Sequence, residues 1–104
     1  MKELKYEKWD CVVKKSRYQN NNNLALILID KNDGSYVANI TINTDEILLE
    51  PDLAYVKNYS EGEGMLEALQ EAGLIEEIIK TKKVGWVKAP LVRFNLADVE
   101  DINS

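Results

Sequence analysis

The sequence predicts an α+β domain: a mostly antiparallel sheet of about five strands with one main helix packed on one face. Three observations predict it. Leu24–Ile29 (LALILI) and an alternating run from Tyr36 flank an Asp33-Gly34 turn, the signature of a β-hairpin. Ser60 to Leu74 (SEGEGMLEALQEAGL) carries a helix start, an apolar stripe and a stop. After it, β-branched and aromatic residues return, interrupted by Gly85 and Pro90, as two further strands would require.

Taken in order, residues 4–18 alternate with a change of phase, Leu4 and Tyr6 being even and Trp9, Cys11 and Val13 odd. A one-residue slip turns every side chain over, so the segment needs either a bulge or two short strands. Gln19–Asn23 reads as a loop, because asparagine tolerates turn geometry. Leu24–Ile29 is continuously apolar and is expected to be a central strand covered on both faces. Tyr36, Ala38, Ile40 and Ile42 then mark one face of a half-buried return strand. Thr44–Asp52 is an acidic connection holding the apolar triplet Ile47–Leu49 and ended by Pro51. Leu53–Tyr59 alternates as a short strand.

For the helix, Ser60 and Glu63 form a capping box, and Met65, Leu66 and Leu69, with Ala68 and Ala72, form the buried stripe. Gly73 supplies a left-handed stop, with Leu74 folding back onto Leu69. Residues 75–81 fit either further helical turns or a strand, and their β-branched residues favour a strand broken near Lys82–Gly85. Trp86–Leu96 is another strand, in which Pro90 requires an edge or a bulge. Asn95 to Asp98 suits a final capped turn. The expected organisation is one domain, residues 1–104, with a tail frayed from about residue 100.

The chain has 45% apolar and 30% charged residues, ordinary for a globular protein, and no apolar run of membrane-spanning length. A single cysteine and no secretory leader lead to the expectation of a cytoplasmic protein. On that expectation the sequons at Asn39 and Asn58 carry no glycan. The net charge of −5 is distributed in blocks: +3 over residues 1–18, −9 over 44–77, +5 over 78–93 and −3 over the last eleven. Such blocks argue against nucleic-acid binding by the whole surface and leave room for a local basic patch.

There is no histidine, which removes the commonest general base and most zinc or haem ligand sets. Cys11, between Trp9 and Val13, reads as a small buried hydrophobe rather than a nucleophile. Asp30–Gly34 departs from a calcium loop, with glycine at position five and Thr41 at position twelve. Gly62 and Gly64 lack the lysine of a phosphate-binding loop, and Glu61 and Glu63 would repel a phosphate there. No catalytic, cofactor or metal residue is therefore assigned. Two surfaces are candidates for binding. Glu63, Glu67 and Glu71 recur every four residues and repel one another, which suits a basic partner protein. Trp9, Lys14, Lys15, Arg17 and Tyr18 have the aromatic and basic content of a single-strand-binding face. Trp86 with Lys82, Lys83 and Lys88 repeats that content and reads as a core aromatic flanked by surface lysines.

From Leu24 onward the order of motifs is familiar. LALILID-KNDG, ANITIN, YVKNYSEGEGMLEALQEAGL and VGWVKAPLVRFNL resemble a family of small uncharacterised proteins carried by phages, plasmids and conjugative elements of Firmicutes. The likeness spans about residues 24–97. It is best marked at Asn43, Asn58, Leu66, Leu69, Gly73, Leu74, Gly85, Pro90, Phe94 and Asn95. It implies cytoplasmic expression from a mobile element and no known catalytic activity, and it supplies no site. Together these readings lead to the expectation of a non-catalytic accessory protein that binds a macromolecule. The acidic helix face and Thr44–Asp52 are the expected contact surface, and the basic N-terminal stretch is the alternative, for nucleic acid. A carboxylate-based enzyme is the least favoured reading. The expected partner is a protein before a nucleic acid, with no membrane, and the Pro90 edge leaves pairing between two copies open.

Overall fold

The phase change near the N-terminus is resolved by two strands. A computed structural model of the chain describes residues 1–59 and 63–103. In it β1 (Glu3–Tyr6) pairs antiparallel with β2 (Trp9–Arg17), and Tyr6 lies opposite Trp9 across a two-residue turn. Glu7 takes a positive φ of 54° in that turn, so the slip is a hairpin rather than a bulge. β3 (Leu24–Asp30) pairs with β2 along its whole length and with β4 (Tyr36–Asn39) on its other side. Its central place was expected, but its coverage is one-sided. Leu24, Leu26 and Leu28 are buried while Ala25, Ile27 and Ile29 are half-buried, so an apolar run has here folded as an alternating strand. Gly34, with φ 75°, turns the hairpin as expected, helped by Asx turns from Asp30 and Asp33.

The return strand divides. It bends at Ile40, and β5 (Thr41–Ile42) joins a second sheet with β6 (Leu53–Val56). Ile40 donates its N–H to the Leu26 carbonyl of the first sheet, and its own carbonyl accepts the N–H of Lys57 beside the second. Thr41 is buried, and its hydroxyl accepts the Leu26 N–H that the departing strand no longer satisfies. The second sheet runs β5-β6-β8-β7, with β7 spanning Ile75–Val84 and β8 spanning Val87–Phe94. The first runs β1-β2-β3-β4. Its fifth strand, β9 (Glu100–Asp101), pairs parallel with Lys14 and Lys15 of β2. Residues expected to fray from about 100 therefore open with a strand. The expected sheet of about five strands is corrected to nine strands in two sheets among the described residues, because one alternating run serves both sheets and because two segments are hairpins.

Only one short helix is present among the described residues, α1 (Met65–Glu71). Ser60, and with it the expected capping box, lies outside the described residues. The helix begins later than expected, with Gly64 as N-cap at φ 85° and no side-chain cap of its own. Its Leu66 N–H is instead satisfied by the Asn58 side chain at 2.9 Å. The stop is as read. Leu74 N–H reaches the Leu69 carbonyl, Gly73 N–H reaches the Gln70 carbonyl, and Gly73 has φ 73°. Met65 and Leu69 are fully buried in one core with Leu4, Tyr6, Leu26, Val56 and Phe94, so the helix closes a core shared by both sheets rather than lying across one face. The far face of the second sheet has a smaller cluster of Leu53, Tyr55, Ala89 and Leu91, covered by Ile42, Leu48 and Val84.

Pro90 sits in β8, an interior strand by order. Pairing of β8 with β6 stops at Leu91, however, so at Pro90 the strand has a neighbour on one side only. The outer strand is β7, whose register shifts between Ile75 and Glu77 and between Ile78 and Lys80. Bulges of this kind blunt an edge against pairing with another chain.

Candidate functional site

The expected acidic row is brought together. Glu67 and Glu71 stand exposed on α1, and Glu63 precedes the helix in a turn, its carbonyl held by the Tyr6 hydroxyl at 3.0 Å. With Lys5 and Glu7 they line an open depression of about 300 Å³. Four other acidic residues are engaged in ion pairs within the chain. Glu50, Asp52 and Glu77 surround Arg93 at 3.0, 3.0 and 3.7 Å, and Glu46 faces Lys80 and Lys82 at 3.8 and 3.5 Å. Thr44–Asp52 thus supplies internal ion pairs as well as surface.

The N-terminal candidates are spread along β2. Trp9 packs against the larger core with the Lys8 ammonium 5.1 Å above its ring. Lys14 pairs with Glu100 at 3.0 Å, and Tyr18 shares a hydrogen bond with the Thr41 hydroxyl at 3.1 Å. Lys15 and Arg17 line a groove with Asp101 and Ile102, and Arg17 also donates to the Pro51 carbonyl. The structure brings Lys15 and Arg17 together but sets both aromatic rings elsewhere, in packing and hydrogen-bonding roles. Cys11 is buried, and desolvation, then Asp30 and Asp10, push its thiol up, as suits an inert side chain.

A third surface was misread from the sequence. Trp86, expected as a core aromatic, is 97% exposed. Val84 pairs with Val87, so Gly85 and Trp86 form a two-residue turn, and Gly85 has the positive φ (61°) that the first turn position of such a hairpin takes. The tryptophan therefore stands at the tip of the β7–β8 arm rather than in a strand. The sequence signal was the near-palindrome Val-Gly-Trp-Val, a turn closed by matching β-branched residues. A two-residue turn closes on a hydrogen-bonded rung, which makes Lys83 opposite Lys88 the next rung, where side chains lie closest. Like charges so placed are destabilising, and neither lysine has an ion-pair partner among the described residues.

The arm is held at its base by a polar latch. The Tyr55 hydroxyl donates to Glu46 at 2.8 Å, and Lys82 bonds the same carboxylate oxygen while lying 5.7 Å over the Tyr55 ring. Glu46 is accordingly held below the usual carboxylate range, first by Tyr55 and then by Lys80 and Lys82, against an opposing desolvation. The loop carrying Glu46 is itself clasped by the asparagines. Asn23, 4% exposed, donates to the Glu46 carbonyl at 2.8 Å and accepts the Leu48 N–H at 2.9 Å, while Asn43 bonds Asn20 and Asn21. Replacing Asn23 with alanine leaves both backbone groups unpaired and is expected to lower stability by about 2 kcal/mol. Urea unfolding measures it, and an unchanged midpoint would remove the clasp from the account.

Among the described residues no three acidic, cysteine or histidine side chains are grouped to hold a metal ion, and no helix is long and apolar enough to cross a membrane. No protein-family model, curated protein or solved structure matches the chain. The geometry of the arm and of the acidic depression is therefore what a functional reading rests on.

Proposed function

We propose that the chain is a non-catalytic module that binds a macromolecule, with the β7–β8 arm as its contact surface. The exposure of Trp86 carries this reading. A large ring left in water at a tight turn contributes nothing to the core, and such anchors are the side chains that dominate interfaces. The polar latch at Glu46 supports it, since the shifted groups there hold the arm in place. The resemblance over residues 24–97 adds a setting, an accessory role for a mobile element in the cytoplasm.

A second reading places the contact in the acidic depression, because Glu7, Glu63, Glu67 and Glu71 share it against one lysine, Lys5. Affinity capture from host lysate separates the two. The expected result is a macromolecule retained by the wild type and by a Glu67→Lys, Glu71→Lys double variant, and lost with Trp86→Ala. The opposite pattern transfers the contact to the depression. Retention unaffected by either variant sinks both.

A further inference from the structure

Resting on the arm as contact surface, the geometry points to its ligand class: single-stranded nucleic acid, with a base stacked on Trp86 and adjacent phosphates on Lys83 and Lys88. The two features belong together. Trp86 stands one rung beyond the exposed pair Lys83 and Lys88, which face each other across the ribbon, and an anion between them relieves the repulsion of like charges so placed. Lys82, one rung further down, points to the opposite face, over the Tyr55 ring and against Glu46, and Asp45 lines the depression beside it, so Lys83 and Lys88 are the cations left for the phosphates.

A single exposed ring is a complete stacking platform for one base, because every base offers a flat face. An anionic membrane would ask for more. Interfacial seating depends on a broad apolar face, and the side chains nearest Trp86, Val84 and Val87, are half-buried, with Val84 packed on the smaller core. Duplex DNA is also a poorer fit, since its bases are already stacked and offer the ring no free face. The positive-φ glycine turn holds the ring on a paired ribbon, so little ordering is needed on binding.

The test is fluorescence anisotropy of a labelled single-stranded oligothymidine titrated with the full chain at low salt. Binding is expected, with a log–log salt slope of about −1.4, as for two phosphates neutralised on a single strand. Trp86→Ala is expected to weaken it about 10-fold, Trp86→Phe much less, and a Lys83→Glu, Lys88→Glu double variant to abolish it. Circular dichroism of each variant establishes that it is folded. Three results overturn the inference: no binding at low salt, binding indifferent to Trp86→Ala, or equal affinity for a duplex of the same length. Binding to phosphatidylserine vesicles that depends on Trp86, without oligonucleotide binding, overturns it in favour of a membrane surface. A photo-crosslinker placed at position 87, beside the retained Trp86, tells this failure from that of the wider reading. Cross-linking to a macromolecule with no oligonucleotide affinity leaves the arm as contact surface and removes the ligand class. Neither signal removes both.

Discussion

Phe94→Ala is expected to cost about 3–5 kcal/mol of folding stability. Phe94 is 1% exposed at the end of β8, opposite Ile75, and its ring belongs to the core that both sheets and the helix share. Its own N–H bonds the Asp52 carbonyl, and the next N–H, of Asn95, bonds the Leu74 carbonyl where the helix ends. A cavity here is therefore walled by several elements that cannot all close in on it, and incomplete collapse is what raises the cost of large-to-small changes. Urea denaturation should show a lower midpoint with an unchanged slope. Leu49→Ala is the control. Leu49 is 92% exposed, so its truncation should stay within about 0.5 kcal/mol. Equal losses in the two variants would mean that the shared core is not where stability resides.

The second large effect appears at high pH. Burial, and then the Glu46 carboxylate, push the Tyr55 hydroxyl from 10.0 up to about 12. The folded chain thus holds this proton more tightly than the unfolded chain. The contribution is fully present below pH 10.0 and is lost as the pH climbs towards about 12. That difference in proton affinity corresponds to about 2–3 kcal/mol. Wild type should lose that much more stability than Tyr55→Phe across this window, since the phenylalanine has no proton to release while lysine deprotonation is common to both. Parallel curves for the two proteins would show that Tyr55 does not report the latch.

What could be read from the sequence was whatever was decided locally. Asp33-Gly34 and Gly73-Leu74 encode their own backbone geometry within a few residues, and both appear where expected. The start of α1 was not legible, because its side-chain cap comes from Asn58, eight residues before Leu66. Nor was the passage from β4 to β5: Tyr36, Ala38, Ile40 and Ile42 keep one unbroken alternation while the backbone changes sheets beneath it. Glu67 and Glu71 could be placed together because helical spacing is a local rule, whereas Glu63 joins them from the turn before the helix. Trp86 could not, since an aromatic among β-branched residues has the pattern of a core side chain, and its exposure follows from a turn of only two residues. The asparagine run was legible as a loop but not as a clasp, because its partners Glu46 and Leu48 lie more than twenty residues away.

The bend at Ile40 has a mechanical meaning. One residue hands its N–H to one sheet and its carbonyl to the chain beside the other, so the two ladders meet without a linker. With the core that both sheets share, this splice ties the second sheet to the first, so the arm carried by β7 and β8 is expected to keep its orientation to β1–β4.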